Sequence, residues 1–562
     1  MPNKLKITQI QFKVGTDWDN NPLKLECNNV TILVGPNNSG KSQTLREIEG
    51  RCSGGNIQSF LLDDVQISMP ETAESIDEMM QIFRSEAREG QATSPNHVWY
   101  SRPKIRNNEN ELHIQIPNDA FKIWLQSKST QQIREYFIRF FTVRLDGRSR
   151  FELVDPKPTG PLDRYPENLL WHLFNTDNQR KSVRDFTKEA FGKFFVIDPT
   201  GMTKFRVRLS DREPISDAEE QALDSSSRDF HANAPVIQSL GDGVQASVGL
   251  VAAVLSLPDR IILIDEPEAF LHPTLAKRVG RLLAKAVRDR DASLIVATHS
   301  SELLLGCMQS VPNLRIVRLT YAGGVGGARA LDAIEVQRLM NDPLLRSAHA
   351  LRALFHRGAV VCEADADRAF YEEINTRLST ENRGLQDCIF MNAQNWQTIP
   401  RLVQPLRKFG VPALAIFDFD VLMSEGFEAL WPMVDLVGIE LQTLQNERVT
   451  VMDAMKSVGR KKCKERGIEA LAKEKQSIAY NLLSRFSEFG ILFVPVGVLE
   501  CWLEKLLPGP ISKQNWLFTI FKKMGSDPDS ENYITASTDD VWGFLELARN
   551  WIDNPKRRGM PI

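Results

Sequence analysis

The chain has 562 residues, of which 42% are apolar and 25% charged, and a formal net charge of −3. That length exceeds a single hydrophobic core and predicts about three or four domains. The near-neutral balance excludes a globally cationic nucleic-acid coat, although 69 Lys and Arg are enough for a local basic groove. Seven scattered Cys with no Cys-x-x-Cys pair argue against a zinc or disulfide framework and read as a reduced, cytoplasmic protein. No window reaches the ~18 uninterrupted apolar residues of a membrane span, and the start lacks a signal-type apolar run, so no membrane partner is expected.

Leu5 to Phe12 alternates apolar and polar residues and predicts a strand. A second apolar run, Val30 to Leu33, leads into Gly35-Pro36-Asn37-Asn38-Ser39-Gly40-Lys41-Ser42 and then a helix. The glycines let the backbone curl so that successive N–H groups face a phosphate, and the helix adds the positive end of its dipole. Lys41 is expected to reach the β- and γ-phosphates of ATP, and Ser42 to hold Mg²⁺.

Residues 71–231 are charged and helix-prone over Glu71–Glu89, Gln131–Arg139 and Ser182–Phe194, with a Pro-rich break at 155–161. They read as a compact inserted module, since no heptad run is long enough for a coiled-coil arm. Within it, Asp211–Asp229 is acidic and Ser-rich and reads as an exposed loop. Gly241 and Gly243 then form a turn entering an apolar helix, a second helix N-terminus of the kind that caps a phosphate presented by another subunit. The buried strand Arg260–Ile264 ends in Asp265-Glu266-Pro267-Glu268. Asp265 suits Mg²⁺ binding through water, and Glu266 suits orienting or deprotonating the attacking water. After a helix over Thr274–Arg288, the strand Ala292–Ala297 leads to His299, expected on the γ-phosphate at the edge where α/β sheets bind ligands.

A helical connector, Ile334–Arg357, precedes three apolar strands that each deliver acids. Ala359–Cys362 leads to Glu363 and Asp367, Pro412–Phe417 to Asp418 and Asp420, and Gly490–Val496 to Glu500. Together they predict a parallel sheet with an acidic crevice. Asp418 and Asp420, two apart, are expected on one side of their strand, where they repel unless a cation lies between them. Oxygen-only ligands favour Mg²⁺ or Mn²⁺ over zinc. The basic runs Lys461–Arg466 and Lys556–Arg558 read as solvated surface, with tracking of a nucleic-acid backbone the alternative. Trp396, Trp502 and Trp516 read as core, with base stacking the alternative.

The phosphate loop, the Asp265-Glu266 pair, His299 and the glycine turn together resemble the ABC-type ATPases, in the branch of the SMC and OLD (overcoming lysogenisation defect) proteins. The resemblance implies ATP sandwiched between two copies, with Gly241 and Gly243 of one facing the phosphate loop of the other. The ordered acids resemble the TOPRIM domain of topoisomerases, primases and OLD nucleases. Glu363 matches its first-strand acid, Asp367 the acid four residues on, Asp418 and Asp420 its metal-binding pair, and Glu500 its late acid. OLD nucleases add a C-terminal Lys, for which Lys505, Lys513, Lys522 and Lys523 are candidates. The implied architecture is α/β: an ABC-type ATPase domain split over 1–70 and 232–345, a partly helical dimerisation module at 71–231, and a TOPRIM domain with a C-terminal extension at 355–562. The implied function is an ATP-regulated, metal-dependent DNA endonuclease of anti-phage defence, as in Gabija-type or retron-associated systems. It implies a homodimer or higher even-numbered oligomer, and a defence partner such as a helicase, a reverse transcriptase with its RNA, or an HNH protein. Two other readings stay open: cleavage of RNA such as tRNA, and a non-catalytic ATP-dependent scaffold that sequesters a toxin.

Overall fold

The computed structural model describes residues 4–16, 22–55, 58–88, 90–92, 94–105, 112–162, 164–322, 324–343, 350–507 and 513–560. The chain divides into two units, Met1–Val34 with Asn38–Ala333, and Ile334–Ile562 with Gly35–Asn37.

The first unit is organised by a sheet of β1 (Lys6–Thr16), β2 (Pro22–Glu26), β3 (Val30–Val34), β4 (Leu62–Ser68), β5 (Thr142–Leu145), β6 (Ile261–Asp265), β7 (Ser293–Ala297), β8 (Arg315–Ala322) and β9 (Val325–Leu331). Its order is β2-β1-β9-β8-β3-β7-β6-β5, with β4 paired to β1. β8, β3, β7, β6 and β5 run parallel, and their register aligns Leu33 with Ala297 and Ala297 with Asp265. β3 and β7 are buried along their whole length, as expected of apolar strands covered on both faces. This alignment brings the loops after β3, β6 and β7 to one edge.

Helix α1 (Lys41–Ser53) follows the phosphate loop, and a single-turn helix α2 (Ser149–Glu152) follows β5. Further on come α3 (Asp242–Ser256), α4 (Pro273–Asp289) and α5 (Ser301–Ser310). α4 buries Ala276, Val279, Gly280, Leu283, Ala284 and Val287, one stripe at helical spacing, with Pro273 opening the helix.

Two expectations for residues 71–231 change. β5 lies inside that stretch yet pairs with β6 in the ATPase sheet, so residues 142–145 belong to the core rather than to an insertion. Thr-Val-Arg-Leu is too short a run to show periodicity, and only its parallel partner makes it a strand. The acidic segment at 211–229 holds two helices, Asp217–Gln221 and Ser225–Ala232, instead of an open loop. Glu220 is fully buried there, with Arg180 at 3.0 Å and Arg184 on the same oxygen, so the acid becomes a core group once cations enclose it.

The second unit is built on β10 (Gly358–Cys362), β11 (Cys388–Asn392), β12 (Ala413–Phe417) and β13 (Ile491–Phe493), all parallel, in the order β11-β10-β12-β13. Around this sheet lie α6 (Asp365–Thr380), α7 (Ile399–Lys408), α8 (Gly438–Val458), α9 (Arg460–Arg466), α10 (Lys473–Ser487), α11 (Lys513–Met524) and α12 (Asp540–Asp553). Trp502, Trp516, Trp542 and Trp551 join Phe370 and Tyr371 in one apolar cluster. The expected helical connector is in part helix Ala333–Asn341 and a 3-10 turn Ala350–Phe355; residues 344–349 lie outside the described set. Among the described residues no helix is long and apolar enough to cross a membrane.

Candidate active sites

In the phosphate loop, Gly35 and Gly40 hold φ of 139° and 94°, which the loop's curl requires and a side chain would oppose. Asn38, between them, also has positive φ, at 59°. Lys41 is 5% exposed, and its Nζ lies 3.3 Å from the Ser39 hydroxyl. The Ser42 hydroxyl donates to Asp265 Oδ1 at 3.0 Å, so the two residues expected around Mg²⁺ already meet. Glu266 N–H donates to the Ala297 carbonyl and Thr298 N–H to the Leu33 carbonyl, tying the three loops together. Glu266, with φ 48°, is exposed, and its Oε1 lies 3.6 Å from His299 Nε2. The expected catalytic acid and His299 therefore stand side by side.

Gly241 and Asp242 are exposed at the N-terminus of α3. Gly243 has no room for a side chain: a Cβ would stand 2.6 Å from the Phe270 carbonyl oxygen, so the glycine turn leans on the loop that follows the Asp265-Glu266 pair.

One residue here escaped sequence reading. Arg150 is fully buried on α2; its Nε donates to the Asp146 carbonyl, while Nη1 and Nη2 have no hydrogen-bond partner. Burial pushes this guanidinium below its usual pKa, and Glu268, Asp146, Glu266 and Asp265 oppose that shift. Glu268 Oε1 accepts from His299 N–H at 2.6 Å, and its Oε2 is buried without a hydrogen-bond partner. Burial raises the Glu268 carboxyl. A buried acid that accepts the His299 N–H and a buried cation that feels its charge are thus each incompletely satisfied. The only signal in the sequence was an Arg five residues past a short strand, which is uninformative alone.

In the second unit, Glu363 follows β10 and accepts the Asp418 N–H on Oε1 at 3.1 Å, so the ends of β10 and β12 present their acids together. Asp367, in the first turn of α6, accepts the Ala364 N–H at 2.9 Å. Asp418 and Asp420 do not share a strand face: β12 ends at Phe417, and Asp420 sits inside the 3-10 turn Phe419–Met423. That turn is tied to the loop before Glu500, because Phe419 N–H donates to the Gly497 carbonyl. Asp420 is 3% exposed, with Arg460 Nε at 2.7 Å and Lys464 Nζ at 3.5 Å from the same oxygen. Glu500 faces Lys513 at 3.3 Å.

The cluster carries strong mutual repulsion. Burial first, then Glu363, Asp367 and Asp420, pushes the Asp418 carboxyl up to about 8. Burial first, with Asp367 and Asp420 adding, raises Glu363 to about 7. Burial first, with Glu500 adding, raises Asp367 to about 6. An all-oxygen donor set with crowded negative charge fits a hard divalent cation. Among the described residues, no group of three His, Cys, Asp or Glu is placed to hold a metal ion; Asp420 and Glu500 pair with the chain's own cations. Of the four candidate lysines, Lys513 is the one paired with a cluster acid, and its charge is also felt by Asp418 and Asp367. Trp502 and Trp516 are each 2% exposed core residues, and Arg557 and Arg558 bind carbonyls or acids of their own unit.

A family model described as "AAA domain, putative AbiEii toxin, Type IV TA system" matches residues 30–305. Another, "Overcoming lysogenization defect protein-like, TOPRIM domain", matches residues 354–420. The phosphonates import ATP-binding protein PhnC 2 of Synechococcus sp. (strain JA-2-3B'a(2-13)) is 27% identical over 139 residues, 25% of this chain and 45% of that protein. The lipoprotein-releasing system ATP-binding protein LolD of Rickettsia felis is 27% identical over 146 residues, 26% of this chain and 61% of that protein. The chain thus spans less than two thirds of the length of these curated relatives. Among solved structures, an SMC head bound to the C-winged helix domain of ScpA is 12% identical with TM-score 0.33, covering 59% of this chain and 99% of that one.

The fold and the two sites define a P-loop ATPase domain, ABC-like in its loops, followed by a TOPRIM domain. That order of domains matches an OLD-family ATPase–TOPRIM protein.

Proposed function

We propose that this protein is an ATP-dependent nuclease that cuts DNA with Mg²⁺ or Mn²⁺ and serves in defence against phage. The observation that carries the reading is the hydrogen-bonded apposition of Glu363 and Asp418, with Asp367 and Asp420 close enough to perturb both. Four buried or half-buried carboxylates crowded just beyond the ends of two parallel strands have little structural purpose, since like charges raise one another's energy. Glu363, Asp367, Asp418, Asp420 and Glu500 would hold the divalent cation. A bound cation of this kind polarises a scissile phosphodiester and makes an attacking water more acidic. Lys513 supplies positive charge beside Glu500 for the phosphate in its transition state.

The ATPase domain supplies control. Lys41 brings charge to the ATP phosphates, Ser42 and Asp265 hold Mg²⁺, and Glu266 orients the attacking water with His299 beside it. The exposed N-terminus of α3 at Gly241 suits the phosphate loop of a second copy, which supports a homodimer or higher even-numbered oligomer. A defence partner, such as a helicase, a reverse transcriptase with its RNA, or an HNH protein, would provide the trigger in the cytoplasm.

The test incubates purified protein with supercoiled plasmid, Mg²⁺ or Mn²⁺, with and without ATP, and total tRNA in parallel. Metal-dependent nicking that disappears in the combined Asp418→Ala and Asp420→Ala variant supports the reading. Cutting that survives the double substitution removes this site from the reaction, and cleavage confined to tRNA moves the substrate to RNA.

A further inference from the structure

Helix α9 raises a question that the nuclease reading leaves open: two cations point at a carboxylate meant for a metal. Arg460 Nε lies 2.7 Å and Lys464 Nζ 3.5 Å from the same Asp420 oxygen, and Arg460 also bonds the Ser424 hydroxyl at 2.8 Å. The acid's side chain is buried, whereas the two cationic side chains are 53% and 44% exposed. Long, half-solvated cations thus cover the mouth of a buried acid.

The backbone of α9 is clamped while these side chains reach outward. A Cβ at Gly497 would stand 2.2 Å from the Lys464 carbonyl oxygen, so α9 lies directly against the loop that carries Glu500. The Cys501 thiol donates to that same carbonyl at 3.4 Å. Beside the helix opens a cavity of about 590 Å³ whose lining includes Lys461, Lys464, Glu500, Lys513 and Trp516. Lys464 therefore stands between Asp420 and a space large enough for a nucleotide.

We propose that Arg460 and Lys464 are exchangeable cations that neutralise Asp420 in the metal-free protein and, once a divalent cation takes that carboxylate, grip a backbone phosphate of the nucleic-acid strand in the adjoining cavity. The proposal rests on the nuclease reading and deepens it by assigning the phosphate-binding side of the site. The energetics favour the exchange. The two cations are half-solvated, so releasing them costs less than opening a pair buried on both sides, and a divalent cation among crowded acids gains from every one of them. The released guanidinium and ammonium are the groups suited to phosphate oxygens.

The two roles make opposite demands, which separates them from a structural ion pair. Full-length protein and its Arg460→Gln, Lys464→Gln and doubly substituted variants are titrated with Mn²⁺ alone, with Asp420→Asn as the control for the site. The same proteins are then titrated with a fluorescent DNA oligonucleotide in Ca²⁺. The exchange predicts Mn²⁺ affinity about threefold or more tighter in the variants, as loss of a half-exposed competitor implies. It also predicts weaker DNA binding, with the salt dependence reduced by about one phosphate contact per cation removed. Arg460→Lys should restore most of the DNA affinity. Loss of both affinities together, or no change in either, overturns the proposal. If the double variant does not fold, the single variants carry the same two comparisons. A wild-type protein that binds neither Mn²⁺ nor DNA defeats the nuclease reading itself, whereas a wild type that cuts DNA while its variants show no opposed effects defeats only the exchange.

Discussion

The two sites are assembled at the same place in their folds, beyond the carboxyl ends of parallel strands, yet they are held in opposite ways. Around the phosphate loop the groups satisfy one another: Ser42 bonds Asp265, Glu266 adjoins His299, and backbone bonds link the loops after β3, β6 and β7. Around Asp418 the groups repel one another, and Arg460, Lys464 and Lys513 hold part of the charge. The lesson is that a nucleotide site can be pre-formed by backbone geometry, because its ligand is large and bonded mostly by N–H groups. A carboxylate site for a small cation stays electrostatically strained until its charge is cancelled.

The sharpest way to break this comparison is to disable each site separately. Asp418→Ala with Asp420→Ala should lower DNA cleavage by about a thousandfold or more while ATP hydrolysis continues, measured by plasmid nicking and phosphate release. Lys41→Ala should instead abolish ATP binding and leave Mn²⁺ binding at the acids unchanged. Cleavage and hydrolysis falling together in the acid variant would mean that the two sites are not independent.

Arg150 probes how far the nucleotide site is truly pre-formed. Arg150→Met should reduce the turnover of ATP hydrolysis by about 10–100-fold, as loss of a group that orients active-site acids implies, with KM for ATP little changed. Arg150→Lys should recover part of that loss, and a melting curve would separate this positioning role from simple destabilisation. An equal effect of both substitutions on melting and turnover would make Arg150 purely structural.

Gly497 tests whether α9 is mounted as rigidly as its contacts imply. Gly497→Ala meets a φ of 118° and a carbonyl at 2.2 Å, and should destabilise the second unit by about 1–3 kcal/mol in chemical denaturation. Full stability of that variant would show that α9 can shift.

The smallest effect concerns pH. Glu363, Asp367 and Asp418 have folded-state pKa values of about 7, 6 and 8, above their unfolded values of 4.5 and 3.8. Between the unfolded and folded values the folded protein binds more protons, so metal-free stability falls as pH rises through that window and is lowest near pH 8. Asp418→Asn should therefore raise the melting temperature at pH 8 by about 2–4 °C, and saturating Mn²⁺ should flatten the pH dependence of the parent protein. A melting temperature that climbs from pH 6 to pH 8 without metal would contradict the crowding of these acids.

Much was legible without coordinates. The phosphate loop, the Asp265-Glu266 pair, His299 and the three acid-ended strands are each local patterns: an apolar run followed by residues whose chemistry a strand end exposes. Such patterns are written in consecutive residues, and the physics that makes them strands and loops acts over the same short range. Other features depend on partners far away in the chain. β5 is a strand only because β6 pairs with it, and Glu220 is a core residue only because Arg180 and Arg184 surround it. Asp420 leaves its strand for a 3-10 turn and meets Arg460 and Lys464, forty and more residues away, and Lys513 is singled out among four lysines by Glu500. Arg150 gained meaning only when burial placed its charge near Glu268. The chemistry of each group was thus determined by the sequence itself. Which charges meet, and which crowd against like charges, was decided by tertiary structure, because burial and long-range pairing set the energy of a charge and neither is written in its neighbours.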